Sequence, residues 1–244
     1  MPPIDYSKWD KLEVSDSDEE ENDRSSYKPP PFQPSGSGAS PSQPAPGFNA
    51  DGPDASAWAQ GLSKEDRREW LCDCYRLRMD DLYQWGGGQL RGCMNFEGTV
   101  TSVAAEFLLF AKLVVLAKAL PKEGEWDWPS FLAKAAGMVG YAFEKSDANE
   151  RWGGENVFAV VTGGRSLRYT GEIVYGSSIQ DPDESLEELI LPSVEKVFSD
   201  YGSPGISDTP EARKACEDVG GWEAWRVFYD TLAANPGPNI SGGP

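Results

Sequence analysis

The most apolar part of the chain is the segment Phe107–Leu120, FLLFAKLVVLAKAL. It is too short to cross a lipid bilayer, and it carries the charged residues Lys112 and Lys118. A helix that is apolar around most of its circumference has to be covered by other elements of the same domain. The sequence therefore predicts a central core helix here, as part of a helix that runs from about Thr99 to Leu120.

The remaining apolar pattern is also helical, and convincing strand alternation is found nowhere in the chain. Ser63 and Asp66 form a capping box for a first helix that extends to about Tyr83. Pro192 should kink or break the helix in which it lies. The other predicted helices are Pro129–Phe143, Ala148–Trp152, Glu155–Thr162, Ser166–Tyr175, Asp183–Tyr201, a short helix capped by Thr209, and Trp222–Ala233. The predicted fold class is all-α, with a single irregular multi-helix domain.

Composition divides the chain into three parts. Residues 1–57 carry the acidic run Asp16–Glu21 and then a stretch rich in Pro, Ser and Gly. They are predicted to form a long disordered arm, because they cannot bury enough apolar surface to offset the entropy lost on ordering. The all-helical domain covers residues 58–234, with its packed part beginning near Leu62, and residues 235–244 are predicted to be a disordered tail.

The charge balance and the absence of histidine limit the classes of function. The formal net charge is −18, which disfavours nucleic acid and anionic membranes as partners and favours a basic protein. The chain has no histidine, so the usual Ser-His-Asp and Cys-His nucleophiles are excluded. Its four cysteines lack the paired spacing of zinc sites, so we expect buried free thiols, no metal and no cofactor. No apolar run follows the first residues, and we expect a cytoplasmic or nuclear location.

One segment has the features of an anion-binding site. The candidate residues are Gly163, Gly164, Arg165, Ser166 and Arg168. The two glycines precede a predicted helix, where free backbone N–H groups and the helix dipole favour a negative charge, and the first arginine could add a bidentate contact. The structural alternative, which we favour, is that the arginines pair with acidic residues of the domain. Arg168 has a partner at a suitable spacing in Glu172.

Aromatic residues suggest a second kind of site. Most of the tryptophans should lie in the core, but Trp126 and Trp128 flank one residue and cannot both be hidden easily. With Tyr83 and Trp85 they could line a groove for a peptide, in which aromatic anchors contribute most of the binding energy. No catalytic residues are predicted. Acidic side chains are numerous in the helical part, but solvated faces and ion pairs are the commoner outcome for such residues.

Four long motifs resemble a known helical module. They are CDCYRLRMDDLYQWGGG (Cys72–Gly88), YAFEKSDANERWGGENVF (Tyr141–Phe158), GGRSLRYTGEIVYGSS (Gly163–Ser178) and EDVGGWEAWR (Glu217–Arg226). Together they resemble the module that follows MYND-type zinc fingers in fungal proteins, and the resemblance spans roughly Leu62–Leu232. The finger itself is missing, because the chain has no histidine and no cysteine before Leu62. The resemblance therefore implies an all-helical fold and no zinc.

The arm carries a second, shorter resemblance. The segment IDYSKWDKLEVSDSDEE, Ile4–Glu20, is similar to the N-terminus of the kinase-specific cochaperone of the ninety-kilodalton heat-shock protein. Ser15 has Asp18 three residues later, and Ser17 has Glu20. This spacing suits an acid-directed kinase of the casein kinase II type, and each phosphate adds about −1.5 to −2 charges.

These features together predict a non-enzymatic protein-interaction or adaptor module of the fungal MYND-associated kind. Its acidic arm would be regulated by phosphorylation at Ser15 and Ser17. The expected partners are proteins, either basic ones or a chaperone, with an acid-directed kinase for the arm. The alternative is a small-molecule or phosphate-binding protein, or an enzyme, that uses the anion site at Gly163–Arg168.

Overall fold

The computed structural model describes residues 54–85, 98–121, 126–153, 166–198, 205–237 and 240. These residues contain eight α-helices and no strand, which confirms the predicted all-α class. The helices are α1 (Lys64–Trp85), α2 (Val100–Leu116), α3 (Trp128–Ala136), α4 (Lys145–Trp152), α5 (Leu167–Tyr175), α6 (Ser185–Val197), α7 (Pro210–Ala215) and α8 (Trp222–Ala234). All but the last four residues of the predicted arm, and the predicted helix Glu155–Thr162, lie outside the described residues.

Polar side chains cap the starts of several helices. Ser63 Oγ accepts a hydrogen bond from the Asp66 backbone N–H at 3.1 Å, as the predicted capping box requires. Thr99 and Ser102 bond each other's backbone N–H groups reciprocally at the start of α2. Thr209 caps α7, with proline as the first helical residue. Each cap satisfies N–H groups that have no partner inside the helix, so a few neighbouring residues are enough to set the boundary.

Several other boundaries differ from those predicted from periodicity. The structure ends α2 at Leu116 instead of Leu120, ends α3 at Ala136 instead of Phe143, and begins α4 at Lys145 instead of Ala148. After α2 the chain turns at Lys118, whose φ of 54° lies in the left-handed region and ends the helical path. Apolar periodicity continues beyond this point because Ala119 is still buried, although it is no longer helical. Pro192 lies inside α6, which continues through it.

Helix α2 is the centre of the core, as its sequence predicts. Every residue from Val103 to Val114 is buried, and α2 packs against α5, α6 and α8. The ring of Phe107 lies at the middle of an aromatic cluster, with centroid separations of 5.0 to 6.1 Å to five other rings. Its neighbours are Tyr75, Phe110, Phe131, Trp225 and Phe228. The buried Lys112 in the same helix is tolerated because its Nζ donates to Asp218 at 2.9 Å.

Packing extends further than predicted at both ends of the domain. The indole N–H of Trp58 donates to the carbonyl of Ala119 at 2.8 Å, so the packed part begins before Leu62. At the other end Ile240 is buried, and a Cβ atom on Gly140 would lie 2.3 Å from the carbonyl oxygen of Pro236. Only glycine fits this close approach of two backbones. Pro236 and Ile240, which belong to the predicted tail, are therefore packed against the domain.

A network of charged side chains holds α3 and α4 against the first half of α1. Glu69 accepts from Lys134 at 2.9 Å and from Arg151 Nε at 2.9 Å, and Arg151 also pairs with Asp66. The guanidinium of Arg151 lies 4.2 Å from the ring centroid of Trp152, which covers that indole. The network thus joins a lysine of α3 and an arginine of α4 to two carboxylates of α1.

We expect the free energy of unfolding to fall as the pH drops below about 4.5, the ordinary pKa of Glu69. Partial burial by itself raises the pKa of Glu69, but hydrogen bonds and charges from Arg151 and Lys134 outweigh it and hold the pKa below 4.5. Because the folded-state pKa is the lower one, the unfolded chain takes up the proton first as the pH falls. The stabilisation is therefore complete above the unfolded pKa and is lost as the pH falls through the folded one.

Urea unfolding at about pH 6 and about pH 3.5 measures this effect. The variant Glu69→Gln should show a smaller difference in stability between the two pH values than the parent protein. Asp73 acts in the opposite direction, because burial raises its pKa despite hydrogen bonds from Trp152 and Arg76. An acid loss of stability that is unchanged in Glu69→Gln would contradict the assignment.

Candidate functional site

A pocket of about 770 Å³ lies between the C-terminal end of α1 and α5 with the loop that follows it. Its described lining residues are Asp81, Trp85, Arg168, Glu172, Ser178, Ile179 and Gln180. Pockets of this size accommodate small ligands or a few side chains of a peptide. We call it the α1–α5 pocket.

The local sequence of α5 sets the shape of this pocket. Ser166 begins the helix, and its Oγ accepts from the Tyr169 backbone N–H at 2.9 Å. Gly171 lies against α1, where a Cβ atom would be 3.9 Å from the carbonyl oxygen of Cys74. Gly176 ends the helix with a φ of 69°, a left-handed conformation that glycine adopts without strain. The loop of residues 177–180 can then turn back to form one wall of the pocket.

Arg168 and Asp81 form a bidentate ion pair at the base of the pocket. Arg168 Nε and Nη2 donate to the two carboxylate oxygens of Asp81 at 2.8 and 2.7 Å. The Asp81 side chain is only 4% exposed, and its hydrogen bonds raise the pKa of Arg168. The pairing of Arg168 with an acid matches the structural alternative, but the partner is Asp81 on α1 instead of Glu172 one turn away. The positive charge of Arg168 is therefore already compensated within the protein.

This pairing alters the predicted anion site. Gly163, Gly164 and Arg165 lie outside the described residues. Of the two candidates that the structure describes, Ser166 uses its hydroxyl to cap α5 and Arg168 is bonded to Asp81. Neither side chain presents an uncompensated positive group to the α1–α5 pocket.

The pocket instead offers an aromatic face and an unpaired carboxylate. The Trp85 side chain is 73% exposed, and no ring or cation of the described residues lies against it. Glu172 is half-buried, and its carboxylate has no hydrogen bond or ion pair with any described residue. With Asp81 and Arg168 neutralising each other, Glu172 leaves the described residues of the lining with an excess negative charge. An aromatic face beside a carboxylate is an arrangement that attracts a cation.

The structure does not bring together the four aromatic residues that were predicted to line one groove. Tyr83 and Trp85 are exposed at the C-terminal end of α1. Trp126 and Trp128 lie at the other end, because Asp127 between them is 3.6 Å from Arg68 in the second turn of α1. At a rise of about 1.5 Å per residue, roughly 25 Å of helix separates Arg68 from Trp85. Sequence periodicity could not reveal this separation of the two aromatic pairs, since it gives no position for the loop before α3.

Trp126 and Trp128 have a packing role. The two rings are 6.1 Å apart, and each also contacts Phe131 at 5.1 and 5.7 Å. Phe131 in turn contacts Phe107 at the centre of the core. These half-buried tryptophans therefore close one side of the aromatic cluster.

A second pocket of about 510 Å³ lies beside α1 and the segment between α3 and α4. Arg76 lines it, and three of its five N–H donors bond Asp73 at 2.7 Å and the carbonyl oxygens of Tyr141 and Ala142. This arginine mainly fixes the segment that precedes α4. The α1–α5 pocket is therefore the stronger candidate for binding.

The described cysteines are buried free thiols, as predicted. Burial raises the pKa of Cys72 and Cys74 well above the usual value and that of Cys216 to about 12. At neutral pH these thiols are protonated and are poor nucleophiles. Cys93 lies outside the described residues.

Comparison of the chain with protein-family models, with curated proteins and with solved structures gives no match in any of the three. Within the part of the chain that the structure describes, no helix combines the length and apolar character needed to cross a membrane.

Proposed function

We propose that this protein is a non-enzymatic interaction module that binds a positively charged segment of a partner protein in the α1–α5 pocket. The supporting observation is the presence of exposed Trp85 and unpaired Glu172 in one pocket. A cation on the partner is attracted by the face of the indole and by the carboxylate. The net charge of −18 on the chain adds a long-range attraction for the same partner.

The anion-binding alternative has less support. A phosphate or carboxylate in this pocket would approach Glu172, whose carboxylate has no hydrogen bond or ion pair with a described residue. The charge of Arg168 is already compensated by two hydrogen bonds to the nearly buried Asp81, which weakens its attraction for such a ligand. The alternative therefore depends mainly on Arg165, for which the described residues provide no geometry.

The arm gives the module a means of regulation in this proposal. Ser15 and Ser17 precede acidic residues in the pattern of an acid-directed kinase, and two phosphates would add about −3 to −4 charges. The added charge strengthens attraction to a basic partner. The proposal places the protein in the cytoplasm or nucleus, where such kinases act. It also makes the protein a finger-less relative of the fungal MYND-associated module. A chaperone is one further candidate partner.

An array of short peptides tests the two alternatives directly, with the full-length protein as the probe. We expect peptides that carry Lys or Arg to bind. Salt and the substitution Glu172→Gln should both weaken this binding. The matched control Glu211→Gln removes an exposed carboxylate from α7 and should leave binding unchanged. Capture of phosphoserine or acidic peptides that is lost in Arg165→Ala and retained in Glu172→Gln would establish the anion site instead. Mass spectrometry of the native protein checks whether Ser15 or Ser17 carries phosphate.

A further inference from the structure

We infer that the α1–α5 pocket accepts one arginine side chain of the partner, stacked on Trp85 and paired with Glu172. This inference rests on the proposed function and narrows it from a basic segment to one type of side chain. It follows from a pattern that the domain itself uses twice elsewhere.

In both of those places a tryptophan, an arginine and a carboxylate lie together. The guanidinium of Arg151 lies 4.2 Å from the ring centroid of Trp152 and bonds Glu69 at 2.9 Å. The guanidinium of Arg213 lies 4.4 Å from the ring centroid of Trp222, while the same group pairs with an aspartate of the preceding loop at 2.7 Å. In each case one planar guanidinium covers the indole and binds the carboxylate at the same time.

The α1–α5 pocket has two of these three parts. Trp152 and Trp222 are 9% and 7% exposed, whereas Trp85 is 73% exposed. Glu172 supplies a carboxylate, but no cation of the described residues covers the Trp85 ring. Arg168 is in the same pocket, and two of its nitrogens are committed to Asp81. In this inference a partner molecule supplies the missing guanidinium.

Arginine suits this pocket better than lysine for a physical reason. A guanidinium is planar and weakly hydrated, so it can stack on an indole and still donate two parallel hydrogen bonds to a carboxylate. An ammonium group is a strongly hydrated point charge that gains less from the stacked geometry. The side chains of Ser178 and Gln180 offer oxygen acceptors for the remaining N–H groups, and Ile179 offers an apolar surface for the aliphatic stem.

The wall of the pocket is held in place before any ligand arrives. Arg78 is buried beneath it and donates to the carbonyl oxygen of Ser177 at 3.1 Å. The same guanidinium lies 4.7 Å from the ring centroid of Tyr175, the last residue of α5. Preorganisation of this kind reduces the entropy lost on binding, which favours recognition of a single side chain.

The test is an NMR titration of the full-length protein with four matched Gly/Ser peptides that differ only at the central residue. That residue is Arg, Lys, citrulline or Glu. The indole N–H signal of Trp85, identified by its absence from the spectrum of Trp85→Phe, reports binding at the pocket. We expect the Arg peptide to shift it saturably, the Lys peptide to bind roughly threefold or more weakly, and the neutral citrulline and Glu peptides to leave it unchanged.

Two variants separate the pocket from general charge attraction. Glu172→Gln should weaken binding of the Arg peptide by roughly threefold to tenfold, whereas Glu211→Gln should not change it. Equal affinity for the Arg and Lys peptides would overturn the arginine inference and leave the proposed function intact. No shift with either basic peptide would overturn both.

Discussion

Replacing Arg168 with alanine should lower the free energy of unfolding by about 3–5 kcal/mol. The Asp81 side chain is 4% exposed and receives two hydrogen bonds from this arginine, at 2.8 and 2.7 Å. Without Arg168 the carboxylate stays in the same protein environment with its charge uncompensated, and α1 loses a direct link to α5. Denaturant unfolding at neutral pH, followed by circular dichroism, measures the loss.

Two further variants separate the charge effect from packing. Arg168→Lys should also be destabilised, because an ammonium group cannot reproduce the bidentate bond. The double variant Arg168→Met, Asp81→Leu removes both charges and should recover much of the stability. A loss of less than about 1 kcal/mol in Arg168→Ala would mean that the pair contributes no more than a surface ion pair. The arginine would then be available for an anionic ligand, which would favour the phosphate-binding alternative.

Replacing Phe107 with alanine should have a comparable effect, a loss of about 3–5 kcal/mol, for a different reason. The ring is fully buried in α2 and contacts Tyr75 at 5.0 Å and Phe228 at 5.4 Å between centroids. Its removal leaves a cavity that is surrounded by rigid aromatic rings, which cannot close it easily. For a domain of this size the thermal midpoint should fall by roughly 6–20 °C.

Calorimetry or thermal circular dichroism measures this change, and two variants act as controls. Phe107→Leu keeps most of the volume and should lose clearly less stability than Phe107→Ala. Val227→Ala on α8 removes a side chain that is 56% exposed and should stay within about 0.5 kcal/mol of the parent protein. Equal losses in Phe107→Ala and Val227→Ala would contradict the placement of α2 at the centre of the core.

The two predictions concern different aspects of the same molecule. The Phe107 cluster holds the domain together whatever the protein binds. The pair of Arg168 and Asp81 also affects the chemistry of the α1–α5 pocket, because it compensates the only positive charge among the described lining residues. Stability of the Arg168 variants is therefore informative about function as well as about folding.

Much of the secondary structure follows from interactions between close neighbours in the chain. The caps at Ser63, Thr99 and Thr209 involve residues within three positions, so their side-chain chemistry can be recognised without the fold. The central place of α2 follows from its apolar circumference alone. The ends of α2 and α3 could not be predicted in the same way, because residues beyond a helix remain buried and continue the apolar pattern.

The pocket depends on contacts between distant parts of the chain. The predicted partner of Arg168 was a helical neighbour, whereas the actual partner lies 87 residues away on α1. Trp85 and Glu172 become neighbours of one cavity only because α5 packs across the end of α1. Local patterns therefore establish which segments are helices and which of them must be buried. The packing of those helices establishes which charges are neutralised and which remain available, because an ion pair depends on distance in space and not on separation in the chain.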